Sequence, residues 1–271
     1  MTTPSTTPTL YIEGPALWAP TLPGWDVARA ALRGEGAPAD PPVKRPAPQV
    51  LAPAERRRAP DSVAIALEVA AAAVAAAGRQ AVDLPCIFAS AHGDLAINDY
   101  MCATLASEPT LLSPTKFHNS VHNAAVGYWT IGTGCMASSN SVSSFEATFA
   151  AGLLEAAAQC ACDQQAVLLT GFDVQAVGPL ASAVHSEGML AAAMVIAPQR
   201  SERSVAAFDW SLATGPSQPL ALQSDAARAL QGNSLADALP IYEALARGGE
   251  AQLALPLSAR LALHLSIRPL A

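Results

Sequence analysis

The chain has 271 residues, enough for one large domain or two small ones. Hydrophobic residues make up 51% of it, much of that alanine, against 14% charged, so it can bury a core and global disorder is excluded. A formal net charge of −7 argues against nucleic acid or an anionic membrane surface as the main partner, and the one basic run, Arg56–Arg57–Arg58, is too short to reverse that.

In chain order, Met1–Thr9 is rich in Thr and Pro and lacks the basic and apolar regions of a signal peptide. Thr9–Glu13 reads as a short strand bounded by Gly14 and Pro15, and 15–60 is dense in proline, so it is expected to be extended and irregular. Asp61–Ser62 supplies an N-cap signal for an alanine-rich helix that Gly78 closes. Its run Val63–Ala77 contains Glu68 and is shorter than the ~20 residues a membrane span needs, so no span is expected. Leu84–Ser90 fits a buried parallel strand, Ala96–Ser107 a helix, and Ser113–Pro114 begins a new element.

His118–Thr130 has helical spacing, and Gly132–Ser144 reads as a turn followed by a strand. A helix over Phe145–Cys160 and buried strands over Gln165–Asp173 and Gly188–Pro198 follow. The remainder offers a strand at Ser204–Thr214, a helix near Leu235–Arg247 and a last strand at Ser258–Ile267. Alternating strands and helices through the middle imply α/β layers around a mostly parallel sheet. The five cysteines, Cys86, Cys102, Cys135, Cys160 and Cys162, form no CxxC pair and read as reduced thiols in a cytoplasmic protein, mostly small core residues.

No catalytic constellation stands out. His118 and His122, four apart, would share a helix face and could bind a metal or act as a base. No Glu lies between them as in HExxH and no third ligand is evident, so no metal site is expected. The serines of Ala137–Ser144 lack the GxSxG frame of a nucleophile elbow, and Gly132 and Gly134 make no phosphate loop.

Read together, several segments carry a resemblance. The loop SPTKF (Ser113–Phe117), NAAVG (Asn123–Gly127), the small-residue strand Ser139–Ser144, a long helix, TGFD (Thr170–Asp173) and SEGMLAAAMVI (Ser186–Ile196) come in the order found in the N-terminal half of β-ketoacyl synthases of the thiolase-like superfamily. The resemblance covers approximately 9–198. It implies an α/β, thiolase-like fold, a single αβα half of a ketosynthase with a mostly parallel mixed sheet. The whole chain 1–271 would form one such domain, with 199–271 an extension of uncertain placement.

In those enzymes the acyl-accepting cysteine sits at a helix N-terminus, where the dipole favours a thiolate. Carried over without a gap from Gly127, that position falls on Glu146, and neither Ser144, Phe145 nor Ala147 beside it is a cysteine. Glutamate cannot form the thioester. Family enzymes are also longer and carry two catalytic histidines in their C-terminal half. Here only His264 lies in the tail, within an apparent strand.

The superfamily contains cysteine-less partners, the chain-length factors, and YIEGPALWAP, ERRRAP and SPTKFHNSVHNAAVGYW resemble a short version from aryl polyene pigment pathways of Gram-negative bacteria. That resemblance implies a non-catalytic subunit without a cofactor, paired as a heterodimer with an active β-ketoacyl-ACP synthase and reached by acyl carrier protein through the complex. Ser139, Ser141 and Ser143 would lie on the dimer strand. Tyr100, Met101, Phe117, His118, His122 and Asn123 would line the acyl tunnel or the interface. Two other readings remain open: an acyl-thioester hydrolase or decarboxylase using Glu146 with His118 or His122, and a self-associating scaffold.

Overall fold

The computed structural model describes residues 7–215 and 218–270; the first six residues of the Thr/Pro-rich N-terminal stretch lie outside the described residues. The chain runs β1 (Leu10–Ala19), β2 (Leu22–Pro23), α1 (Trp25–Leu32), α2 (Pro53–Arg58), α3 (Asp61–Ala76), β3 (Cys86–Ala89), α4 (Leu95–Ser107), α5 (Pro114–Asn119) and α6 (Ala124–Thr133). It continues through β4 (Ser139–Val142), α7 (Thr148–Asp163), β5 (Val167–Asp173), β6 (Leu190–Ala197) and β7 (Ser204–Thr214) to α8 (Asp225–Arg228), α9 (Leu239–Arg247), β8 (Ala251–Ser258) and β9 (Leu261–Pro269).

The strands form one sheet in the order β4-β3-β5-β6-β1-β7-β9-β8, with β2 hooked onto the end of β1. Only β4-β3 and β3-β5 pair in parallel, and every other pairing is antiparallel. The sheet is therefore mixed and mostly antiparallel, a correction to the mostly parallel sheet expected from the sequence. The reason lies in the connections. Parallel neighbours need a crossover helix, which α4–α6 and α7 provide, whereas β5 returns to β6 through a loop holding only a 3-10 turn at Pro179–Ser182.

Both faces of the central sheet are covered. Along β6, Leu190, Ala192, Met194 and Ile196 join the core beneath α7, α9 and α1, while Ala191, Ala193, Val195 and Ala197 join the core beneath α3 and α6. All eight residues of β6 are buried, which is why it reads as an unbroken apolar run. In α3, ten of 16 residues are buried, and its alanines let the helix lie close on the sheet.

The closest approach is at Gly14. Its φ of +53° places it in the left-handed region, and a Cβ there would stand 2.2 Å from the Ala73 carbonyl oxygen of α3. The chain makes a bulge between Glu13 and Ala16, and β1 runs on to Ala19 instead of stopping at Gly14 as the turn residues implied. Gly14→Ala is expected to cost about 3 kcal/mol, read as a lower urea midpoint at unchanged m-value.

The proline-rich 15–60 stretch is less irregular than expected, since it also holds β2, α1 and α2. The extension after Pro198 continues the sheet as β7, β9 and β8, the last of these unforeseen. It also lays Leu239, Ile241 and Tyr242 of α9 into the same core as Phe149 and Leu153 of α7. The Tyr242 hydroxyl is fully buried and donates to the Ala193 carbonyl at 2.7 Å. Cys86, Cys135 and Cys160 are buried, and Cys102 and Cys162 are exposed. Among the described residues no helix is long and apolar enough to cross a membrane.

Candidate functional site

Three parallel strands, β3, β4 and β5, end side by side, and the loops that leave them interlock. The Ser143 hydroxyl donates to the Ala91 carbonyl at 2.8 Å, tying the loop after β4 to the loop after β3. The Ser90 hydroxyl donates to Asp173 at 2.6 Å, and the Ala91 N–H donates to the same carboxylate, tying the loop after β3 to the end of β5. In open α/β sheets this end of the strands is where ligands and reacting groups collect.

Beyond β4 the chain turns sharply into α7. Ala147 N–H reaches the Ser144 carbonyl at 3.0 Å, and the Thr148 hydroxyl donates to the Phe145 carbonyl at 2.8 Å. Phe145 has a φ of +55°, a conformation that residues with side chains rarely hold. Glu146 follows it in a single 3-10 turn and is exposed. The helix start is held low on the sheet because Gly171 of β5 makes room: a Cβ there would meet the Phe149 ring at 2.6 Å.

Beneath this turn lies a cluster of buried ionisable groups that sequence reasoning missed. Asp237 is half-buried with its carboxylate turned inward; one of its oxygens accepts the Ala150 N–H in the first turn of α7 at 3.0 Å, and the other is buried with no hydrogen-bond partner among the described residues. Burial pushes its carboxyl up to about 7, helped by the nearby Asp173 and opposed by the backbone N–H groups of Ala150 and Phe149. Burial likewise raises Asp173, with His92 and the Ser90 hydroxyl pulling the other way. The His92 Nε2 stands 3.7 Å from Asp173, its side chain is 3% exposed, and neither ring nitrogen has a hydrogen bond. Asp173 closes the recognisable strand TGFD, but nothing local in the sequence marks His92 or Asp237.

The expected helix through His118–Thr130 is broken: α5 ends at Asn119 and α6 starts at Ala124. His118 and His122 therefore do not share a helix face. The competing force is tertiary, since Ser120–Asn123 turns to bring His122 Nε2 onto the Ser90 carbonyl at 2.8 Å, while the His118 ring packs edge-on against Tyr128. Among the described residues neither histidine is bonded to Glu146, and no group of three or more His, Cys, Asp or Glu side chains is arranged to hold a metal ion.

The remaining candidates separate by exposure. Lys116 of α5 sits over the Tyr100 ring of α4 at 5.8 Å, joining the two helices. Met101 is 9% exposed and packs within its own chain, whereas Phe117 is 59% exposed. Asn123 stands at the N-cap of α6 with its side chain unused as a cap. His264 is exposed on β9.

Ser139, Ser141 and Ser143 lie on or just beyond β4, which ends the sheet. The Ser138 and Val142 carbonyls accept from Cys86 and Ser90 of the β3 segment. Backbone groups alternate sides along a strand, so those of Ser139 and Ser141 point away from the sheet. Burial pushes the Cys86 and Cys160 thiols up to about 12, which makes both poor nucleophiles. A recess of about 360 Å³ opens between α9 and β8, lined by Leu220, Pro240, Ala244 and Leu253.

The description of the β-ketoacyl synthase N-terminal domain matches residues 29–258, well past Pro198. The chain belongs to that family. No curated protein matches it in sequence. In fold it is similar to a chain of the ketosynthase ApeO in complex with its chain length factor ApeC from Xenorhabdus doucetiae, at 22% identity and a TM-score of 0.72, covering 95% of this chain and 99% of that one. A chain of the ishigamide ketosynthase/chain length factor gives 14% identity and a TM-score of 0.69, covering 97% of this chain and all of that one. A chain of AntDE:AntF, a type II polyketide acyl-carrier protein in complex with its ketosynthase, gives 10% and 0.73, covering 97% and 100%. At these identities the likeness concerns the thiolase-like ketosynthase fold.

Proposed function

We propose that the chain is a non-catalytic, chain-length-factor-like subunit that pairs with an active β-ketoacyl-ACP synthase and shapes its acyl tunnel in polyene or polyketide assembly. The observation that carries this reading is the contrast between the two ends of the sheet. The β8 edge is blunted by Pro256 and a register shift after it. The β4 edge has neither a proline nor a charged side chain. The segments around it expose Ile131 of α6 at 80%, Met136 just before the strand at 93% and Phe145 just after it at 62%. An open strand edge amid exposed apolar residues is what a lasting sheet-to-sheet interface requires.

The missing thiol supports the same reading. The turn into α7 carries Phe145 and Glu146 where the family's acyl acceptor is expected, so a partner must supply the chemistry. An independent hydrolase using Glu146 with a histidine is not favoured, because both histidines are committed elsewhere.

Co-expression with the ketosynthase of the same pathway, followed by size exclusion with mass detection, tests the proposal. A 1:1 complex supports it, and a ketosynthase that forms an active homodimer while this chain stays apart refutes it. Within the complex, Phe117→Ala is expected to shift the product toward longer chains, because a bulky ring facing a shared cavity limits its depth. Mass spectrometry of the released acyl products reads this directly, and an unchanged length distribution removes Phe117 from the tunnel.

A further inference from the structure

One residue of this chain is unfavourable twice over, in its backbone and in its side chain. Among the described residues only Phe145 and Gln164 hold a positive φ without being glycine. Gln164, at φ +53°, is the C-cap of α7, where the left-handed conformation is ordinary. Phe145, at φ +55°, lies in the turn between β4 and α7, where no helix ends, and a bulky residue is strained there. Hydrogen bonds impose the conformation. The Ser144 N–H donates to the Thr148 hydroxyl oxygen at 3.0 Å, and that hydroxyl donates to the Phe145 carbonyl at 2.8 Å. The Ser143 hydroxyl, donating to the Ala91 carbonyl, fixes the incoming chain.

The side chain gives nothing back in the isolated chain. Thr148 and Phe149, the next helical residues, are wholly buried, while the Phe145 ring is left largely in solvent. An exposed ring supplies no burial to offset the strained backbone beneath it. Ile131 and Met136 are exposed as well, but on backbone outside the left-handed region. Phe145 differs in that its turn is pinned by hydrogen bonds directly beyond the open β4 edge, so little backbone freedom is lost when something covers it. A single aromatic side chain presented from fixed backbone is the kind of group that dominates the binding energy where two proteins meet.

We propose that Phe145 is the anchor of the pairing with the ketosynthase: the strained turn holds its ring out to enter an apolar pocket of the partner beside the β4 edge. The proposal rests on the partner-subunit reading and names the residue that dominates that contact. The exposed ring and the left-handed backbone, both unfavourable in the free subunit, then sit where the partner covers them. Burial of the ring offsets the strain in the complex and not in the isolated chain.

The test compares Phe145→Gly and Phe145→Ala with wild type. Each is melted as the isolated chain, and each is co-expressed with the ketosynthase of the same pathway, the dissociation constant being read by diluting the complex under mass detection. Glycine relieves the backbone and removes the ring. The isolated glycine variant is therefore expected to melt at or above the wild-type temperature while its affinity for the ketosynthase falls at least about 30-fold. Alanine removes the ring but keeps the strained φ, so it is expected to lose the same affinity with no gain in melting temperature. Wild-type affinity in the alanine variant overturns the proposal, because any loss with glycine would then come from the freed backbone. A glycine variant that melts below wild type also overturns it, since the ring would be packing within its own chain. If the wild-type chain forms no complex, the partner-subunit reading falls and the anchor with it. A wild-type complex alongside variants of full affinity removes the anchor alone.

Discussion

Ser141→Pro is expected to leave the chain folded and to weaken its association with a ketosynthase by about 100-fold, ~3 kcal/mol. The argument is geometric. The Ser138 and Val142 carbonyls serve the ladder to β3, so the alternate position Ser141 turns its N–H outward, where proline removes a donor the chain itself does not use. An edge strand tolerates proline on that side, so the cost falls on the partner. Thermal unfolding of the isolated chain and co-purification with the ketosynthase measure the two halves separately. A variant that keeps its partner at full affinity would remove β4 from the interface. A variant that loses its own fold would show that this N–H faces inward.

The second large effect concerns pH. Asp237 titrates near 7 in the folded chain, against about 3.9 in an unfolded one, so between pH 4 and 7 the native state holds a proton that the unfolded state has released. Folding stability from this group is thus full below about pH 4 and declines as pH rises toward 7, by up to ~4 kcal/mol. The groups that face it are the N–H groups of Phe149 and Ala150, which ease its ionisation, and Asp173, which opposes it; His92 stands behind Asp173.

Asp237→Asn keeps an acceptor for Ala150 and cannot ionise. Its stability relative to wild type is therefore expected to climb through pH 4–7 and to exceed wild type at pH 8. Urea unfolding of both proteins at pH 5 and pH 8 decides this. A constant difference between the two proteins would mean that Asp237 stays charged in the fold. Asp173, also raised, adds slope of the same sign to both proteins, and its repulsion with Asp237 adds to the difference between them.

Much of the architecture is legible because local patterns and tertiary packing agree. The alanine-rich helix closed by Gly78, the buried strands ending in Ala89 and Asp173, and the strand Ser204–Thr214 stand where their apolar runs and turn residues put them. The family, too, is readable from SPTKF, NAAVG and TGFD, and the absence of a cysteine at 144–147 is a fact of the sequence.

Strand direction was not legible, since an apolar run buried on both faces looks the same whichever way it points. The connection decides it: the return from β5 to β6 carries no crossover helix, only a 3-10 turn, and the two strands pair antiparallel. The split between α5 and α6 escaped for a similar reason: helical spacing continues through Ser120–Asn123, while a single hydrogen bond from His122 to a distant carbonyl ends the helix.

The sequence by itself determined that this is an α/β chain of the ketosynthase family with no cysteine at 144–147, because those properties reside in residue identity and local order. Only the tertiary structure decided that β4 is the open end of the sheet, that Asp237 from the C-terminal extension sits under the start of α7, and that Asn119 of α5 reaches the Arg58 carbonyl of α2. Each of these joins residues far apart in the chain, and such contacts are set by how the layers pack around the sheet.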